Sequence, residues 1–259
     1  MHPLLLNLGP IPIHTYGFLI AIGFLVAVYV IRKLSTASNL DVEKILDLTF
    51  WSLLLGFLGS RVFFILTRLD FFMSHPLDVF KIWEGGLVFY GGPIFVVPFL
   101  AWYLRKHKLP MWKVMDAMIP GLAIAHMFGR FGCLSAGCCY GKPTDLPWGI
   151  SLHSDLVESD LRGIPLHPTQ LYEATGLFIL FWGLIWVFKH KRFDGQVLLT
   201  YFMTYPILRS IVENYRGDLI RGFVIDDWLS TSQFLSALVF SAASIALWKR
   251  MQSVGKKGD

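Results

Sequence analysis

Apolar side chains gather along this chain in unbroken blocks of roughly 20 residues, where an alternating or amphipathic pattern would mark a soluble fold. The blocks recur at 13–30, 45–66, 87–104, 114–134, 171–188, 197–212 and 231–247. A bilayer-spanning helix needs about 20 mostly apolar residues, so the pattern predicts an all-α polytopic membrane protein with about seven transmembrane helices. The third block is the least regular, because Gly91, Gly92 and Pro93 interrupt it. The first follows a short polar start and precedes no small-residue cleavage site, and it reads as a retained anchor.

Composition strengthens this picture. The chain is 54% hydrophobic and 16% charged with a mean hydropathy of +0.55, too apolar for a soluble protein of its length. Cytoplasmic loops collect Lys and Arg, and here Arg32 and Lys33, then Arg105, Lys106 and Lys108, then Lys189, Lys191 and Arg192, then Lys249, Arg250, Lys256 and Lys257 follow alternate blocks. The opposite loops hold Asp70, Asp78, Asp155, Glu158, Asp160, Asp226 and Asp227. The N-terminus is therefore expected to face outward and the C-terminus the cytoplasm. The basic pI of about 9.1 comes from the inner rim, so no nucleic-acid partner is expected. No linker or repeat divides residues 1–259, which read as a single integral membrane domain. The longest loop, 141–168, is polar and outward, long enough to form a small cap.

Ionisable groups inside a membrane cost several kcal/mol unless paired or solvated, and they mark functional sites by default. Arg209, Glu213 and Arg216 share one helix face at the end of the sixth block. His126 and Arg130 share a face of the fourth, and Arg61 ends the second. Guanidinium groups from several helices at one depth suit a phosphate, which they bind through charge-assisted, often bidentate bonds. The structural alternative pairs Glu213 with Arg209 or Arg216, and Glu84 with Arg61, as ties between helices. Gly85-Gly86 and Gly91-Gly92 flank Leu-Val-Phe-Tyr90. They read either as close-packing positions or as a bent segment bringing Tyr90 and backbone groups toward a cavity.

Cys133, Cys138 and Cys139 lack zinc-site spacing. Three readings stay open: a disulfide of Cys133 with Cys138 or Cys139, small packing side chains, or reactive thiols.

Several motifs taken together resemble the prolipoprotein diacylglyceryl transferase family. They are Tyr16-Gly, Gly59-Ser-Arg61, Trp83-Glu-Gly-Gly-Leu-Val-Phe-Tyr-Gly-Gly, Gly129-Arg130-Phe-Gly, Tyr140-Gly-Lys-Pro-Thr, His167-Pro-Thr-Gln-Leu-Tyr-Glu173, and Tyr205 through Arg209, Glu213 and Arg216. The resemblance covers nearly the whole chain, and the His167 and Tyr140 motifs are its most specific parts. It implies an enzyme of the bacterial inner membrane, with its site near the outer leaflet in a lipid-accessible cavity. The enzyme would move a diacylglyceryl group from phosphatidylglycerol to the lipobox cysteine of a prolipoprotein signal peptide and release glycerol phosphate. The implied catalytic residues are Tyr90, Arg130, Arg209, Glu213 and His167. The implied substrate-binding residues are Arg130, Arg209, Tyr16, Arg216, Gly91, Gly92, Gly141 and Tyr205, with no metal and no cofactor.

The chain departs from the family pattern at two places. Tyr90 stands where most members have histidine, and Cys133, Ser135 and Cys138 occupy a stretch that in most members carries Asn, Asn and Glu. An unperturbed tyrosine, with a pKa near ~10, is a poor base at neutral pH. The proton of the acceptor thiol is then left to His167, Glu213 or the lipid phosphate. The competing functional class is a divergent member that binds or moves an anionic lipid, or lipidates another acceptor. Internally repeated spans around a midplane site would favour a transporter, and the chain shows none.

Overall fold

The computed structural model describes residues 4–8, 11–81, 85–218, 223–225 and 229–255. Trp83, Glu84, Asp226, Asp227, Lys256 and Lys257 lie outside them, as does the expected Glu84–Arg61 pair. Eight α-helices carry the described chain: α1 Thr15–Ala37, α2 Val42–Thr67, α3 Leu69–Ser74, α4 Gly91–Lys106, α5 Met111–Ala136, α6 Thr169–His190, α7 Gln196–Glu213 and α8 Thr231–Gly255. Three antiparallel pairs supplement them: β1 Leu4–Leu8 with β2 Ile11–His14, β3 Ile150–Ser151 with β4 Pro165–Leu166, and β5 Phe223–Ile225 with β6 Leu229–Ser230.

Five of these helices, α1, α2, α5, α6 and α8, are long and apolar enough to cross a membrane, so the protein is a polytopic membrane protein. The other two blocks fold into shorter helices of 16 residues in α4 and 18 in α7. At 1.5 Å per residue these rise about 24 and 27 Å, short of a hydrocarbon core of about 30 Å. The shortening of α4 has a local cause. Gly85 and Gly86 take φ of +86° and +80°, a left-handed conformation that keeps 85–90 out of the helix.

The chain forms two compact units, Arg32–Val114 and Met1–Ile31 with Met115–Asp259. In the first, α2 and α4 pack along their lengths. A Cβ placed on Gly91 would lie 2.2 Å from the carbonyl oxygen of Gly59, and one on Gly59 would lie 2.3 Å from that of Gly91, so only glycine fits on either side. Arg61 organises the adjoining loop. Its Nε donates to Val79 O at 3.2 Å, Nη1 to Gly85 O at 2.7 Å and Gly86 O at 3.3 Å, and Nη2 to Asp78 O at 2.8 Å and Lys81 O at 3.2 Å. Phe64 and Phe72 lie against its guanidinium, a cation–π arrangement.

In the second unit, α6 and α7 pack together and α7 packs on α8. The fully buried Asp116 of α5 supplies the cap that α7 lacks in its own sequence. It accepts from Gly195 N at 2.9 Å, Leu198 N at 3.1 Å and Lys191 Nζ at 2.8 Å. The carboxylate thus satisfies the first donors of a helix start and favours its positive dipole end. Burial alone would lower the Lys191 pKa, but its bonds to Asp116 and Asp194 more than reverse this and raise it.

The segment between α5 and α6 has a small core of its own. Tyr140, Leu152, Val157 and Leu166 are buried against one another, with Ile150 and Leu161 packed alongside. The Tyr140 hydroxyl accepts from Glu158 N at 3.2 Å, and Arg162 Nε donates to Val157 O at 3.0 Å. The long polar loop is therefore a folded element.

Candidate active site

One face of α7 carries Tyr201, Tyr205, Arg209 and Glu213 at intervals of four residues, so all four lie in a row. Facing this row are His126 and Arg130 from α5 and Glu173 from the first turns of α6. Glu173 is the hub and is 1% exposed. Its Oε1 takes Arg130 Nη2 at 3.0 Å and the Tyr205 hydroxyl at 2.9 Å, with His126 Nε2 at 3.8 Å; its Oε2 lies 3.7 Å from Arg209 Nη1. Arg209 Nη2 pairs with Glu213 Oε2 at 2.6 Å. Arg130 Nε donates to His126 Nε2 at 3.3 Å. The ring of Tyr205 stacks on Tyr201 at 5.5 Å and lies 5.2 Å from that of His126.

Two guanidiniums thus meet two carboxylates in a place nearly closed to water. Each Arg carries five donors, and the pairing leaves some unused. Arg209 Nη1 is buried and makes no hydrogen bond among the described residues, a condition that costs ~1–3 kcal/mol. None of the hydrogen bonds of Arg130 among the described residues uses Nη1. An anion with several acceptor oxygens would satisfy these donors.

The remaining expected residues fall into separate settings. Arg216 forms a two-pronged pair with Asp218, Nε to Oδ1 at 2.8 Å and Nη2 to Oδ2. Gly141 N donates to His167 O at 3.0 Å and Lys142 N to Tyr215 O at 2.8 Å. A Cβ on Gly141 would sit 2.5 Å from His167 and 2.8 Å from Tyr215 O, so the glycine lets three segments meet. His167 Nδ1 lies 3.0 Å from the Tyr172 hydroxyl, to which Trp148 Nε1 donates at 2.8 Å. Tyr16 lays its ring over Gly132 of α5. In the other unit, Tyr90 immediately precedes α4 with its ring half exposed, and Gly91 and Gly92 face α2.

Arg61, expected among the candidate phosphate ligands, instead donates from Nε, Nη1 and Nη2 to backbone carbonyls. Glu173 and Asp218 are the partners that sequence reasoning left without a role. An acidic residue opening an otherwise apolar helix was the available signal for Glu173. The three cysteines are free thiols, and no disulfide links them. Beside α5, a groove of about 470 Å³ is lined by Phe131, Leu134, Ser135, Ile150, Ser151 and Leu152.

The family model described as prolipoprotein diacylglyceryl transferase matches residues 3–249. The chain belongs to the prolipoprotein diacylglyceryl transferase family. Its relatives include the phosphatidylglycerol–prolipoprotein diacylglyceryl transferase of Clostridium tetani, 35% identical across 91% of this chain and 92% of that protein. The transferase of the same name from Finegoldia magna is 32% identical over 96% of each chain. That of Bordetella avium is 34% identical over 92% of each. In this member of the prolipoprotein diacylglyceryl transferase family, Arg130 and Arg209, from different helices, meet at the buried carboxylate of Glu173.

Proposed function

We propose that this chain transfers the diacylglyceryl group of phosphatidylglycerol to the lipobox cysteine thiol of a prolipoprotein signal peptide. The carrying observation is the convergence of Arg130 and Arg209, from different helices, with Arg209 Nη1 buried and without a hydrogen bond among the described residues. The phosphate of the donor lipid takes that donor together with the unused end of Arg130. The weak 3.7 Å contact from Arg209 to Glu173 is the one it replaces.

The reaction then follows from charge. The acceptor thiol gives up its proton, and the thiolate, the competent nucleophile, attacks the glyceryl carbon bearing the phosphate ester. A carbon–sulfur bond forms while the carbon–oxygen bond breaks, and its electron pair goes to the phosphate oxygen of the departing glycerol phosphate. Fixed donors aimed at that developing charge lower the barrier, which is the work of Arg130 and Arg209. Glu213 balances Arg209. His167, whose Nδ1 lies 3.0 Å from the Tyr172 hydroxyl, takes the thiol proton on a ring nitrogen.

Tyr205 keeps Glu173 in place, and Tyr16 packs the α5 face that carries Arg130. Arg216 and Gly141 join the segment around His167 to the end of α7. Tyr90, Gly91 and Gly92 are assigned to lipid contact from the family motif, and the groove beside Phe131 to an acyl chain. In this reading α4 and α7 complete seven crossings, and residues 1–259 act as a single membrane domain in the bacterial inner membrane. The N-terminus is outward, and the site, with residues 141–168 as its cap, lies near the outer leaflet.

Complementation tests the reading. In bacteria depleted of their own transferase, expression of this chain restores diacylglyceryl-modified lipoprotein, seen as the mass gain on the signal-peptide cysteine. A chain that is expressed and inserted yet leaves the precursor unmodified is no such transferase.

A further inference from the structure

We propose that Cys133, Cys138 and Cys139 form a three-thiolate site for a soft d10 metal ion, Cu(I) above all. Their Sγ atoms lie within 4.8 Å of one another. Three sulfurs bound to one ion through bonds of ~2.3 Å stand about 4 Å apart in a trigonal arrangement, so a small contraction closes the site.

The backbone builds this proximity. Helix α5 ends at Ala136, Gly137 turns with φ of +78°, and the N–H groups of Gly137 and Cys138 return to Cys133 O at 2.9 and 3.1 Å. The helix end therefore folds back on its own last turn and sets Cys138 and Cys139 beside Cys133. Cys139 holds φ of +60°, a left-handed conformation unfavourable for a non-glycine residue that persists where its surroundings impose it. Those surroundings are on α6: Thr169 Oγ1 donates to Cys139 O at 2.7 Å, and Gln170 Nε2 to Cys138 O at 2.8 Å. Both side chains are buried. The thiol loop is thus held in shape without a metal.

The donor set selects the ion. Thiolates favour Cu(I) and Zn²⁺ among biological metals, but structural zinc takes four ligands. Among the described residues no His, Asp or Glu joins the three thiols. A trigonal all-sulfur site suits Cu(I). Binding converts three thiols and one Cu(I) into a complex of charge −2 with release of three protons. Arg130 acts electrostatically on Cys133 and Cys139, and Arg216 on Cys139, which offsets part of that charge. All three cysteine residues are partly exposed.

The test is an anaerobic titration of the reduced, full-length protein in detergent with Cu(I), using a chromophoric chelator as competitor. One Cu(I) per chain is expected, with an ultraviolet thiolate-to-copper charge-transfer band and three thiols protected from a disulfide-exchange reagent. A parallel titration with Zn²⁺ gives weaker protection. Cys133→Ser and Cys138→Ser each weaken Cu(I) affinity by more than about 100-fold, the upper end for losing even a supporting residue of a metal site. Thiols that react equally fast with and without Cu(I) would overturn the proposal on the unaltered protein, whatever the variants do. So would a Cys133–Cys138 or Cys133–Cys139 disulfide, found by mass spectrometry in protein taken from membranes, that survives reductant at concentrations tolerated by the folded chain.

Discussion

Arg209→Gln loses diacylglyceryl transfer by about 100-fold to 1,000-fold, the usual effect of removing one preorganised donor from a developing anion, while insertion into the membrane is unchanged. The substitution removes the buried Nη1, which makes no hydrogen bond among the described residues, and leaves glutamine unable to follow charge as it builds on phosphate. Arg209→Lys restores the charge without the planar fork and recovers only part of the rate. A control separates loss of function from loss of packing. In Arg209→Gln the Glu213 carboxylate, which pairs with Arg209 at 2.6 Å, loses that counter-charge. Arg209→Gln with Glu213→Gln removes both charges, so it regains thermal stability but not activity. Near-normal turnover of purified Arg209→Gln on phosphatidylglycerol and a lipobox peptide would dismiss the phosphate-holding role.

Glu173→Gln has the largest effect on stability. The glutamate stands against Arg130 at 3.0 Å and Arg209 at 3.7 Å and is almost wholly buried, so glutamine leaves two guanidiniums facing each other. Removing one member of a buried ion pair costs about 3–5 kcal/mol. For a chain of this size that lowers the unfolding midpoint in detergent by on the order of 10 °C. Tyr205→Phe deletes only the 2.9 Å bond to the same carboxylate and costs about 1 kcal/mol. An unfolding midpoint unmoved by Glu173→Gln would mean that the carboxylate does not hold the arginines together.

Much of this was legible from residue pattern, and the parts that were not share a cause. The apolar blocks at 13–30, 45–66, 114–134, 171–188 and 231–247 correspond to α1, α2, α5, α6 and α8, because burial in lipid demands little beyond length and hydropathy. The block at 87–104 begins too early, since it counts residues that the left-handed Gly85 and Gly86 exclude from α4. Arg209, Glu213 and Arg216 stood out by their helical spacing, as did His126 with Arg130, whereas Tyr205 came from the family motif. Glu173 and Asp116 act through partners on other segments, and periodicity is blind to those. Arg61 read as a phosphate candidate because its acceptors are carbonyls, which no side-chain pattern displays. The same blindness hid the thiol cluster, whose geometry comes from a helix end folding back and two side chains of α6.

The most direct measurement is a structure of the full chain in lipid nanodiscs containing phosphatidylglycerol. The account predicts the headgroup phosphate between Arg130 and Arg209, with an oxygen about 2.8 Å from Arg209 Nη1 and the Arg209–Glu173 separation widened beyond 3.7 Å. A headgroup bound elsewhere, with Arg130 and Arg209 still closed on Glu173, would contradict it.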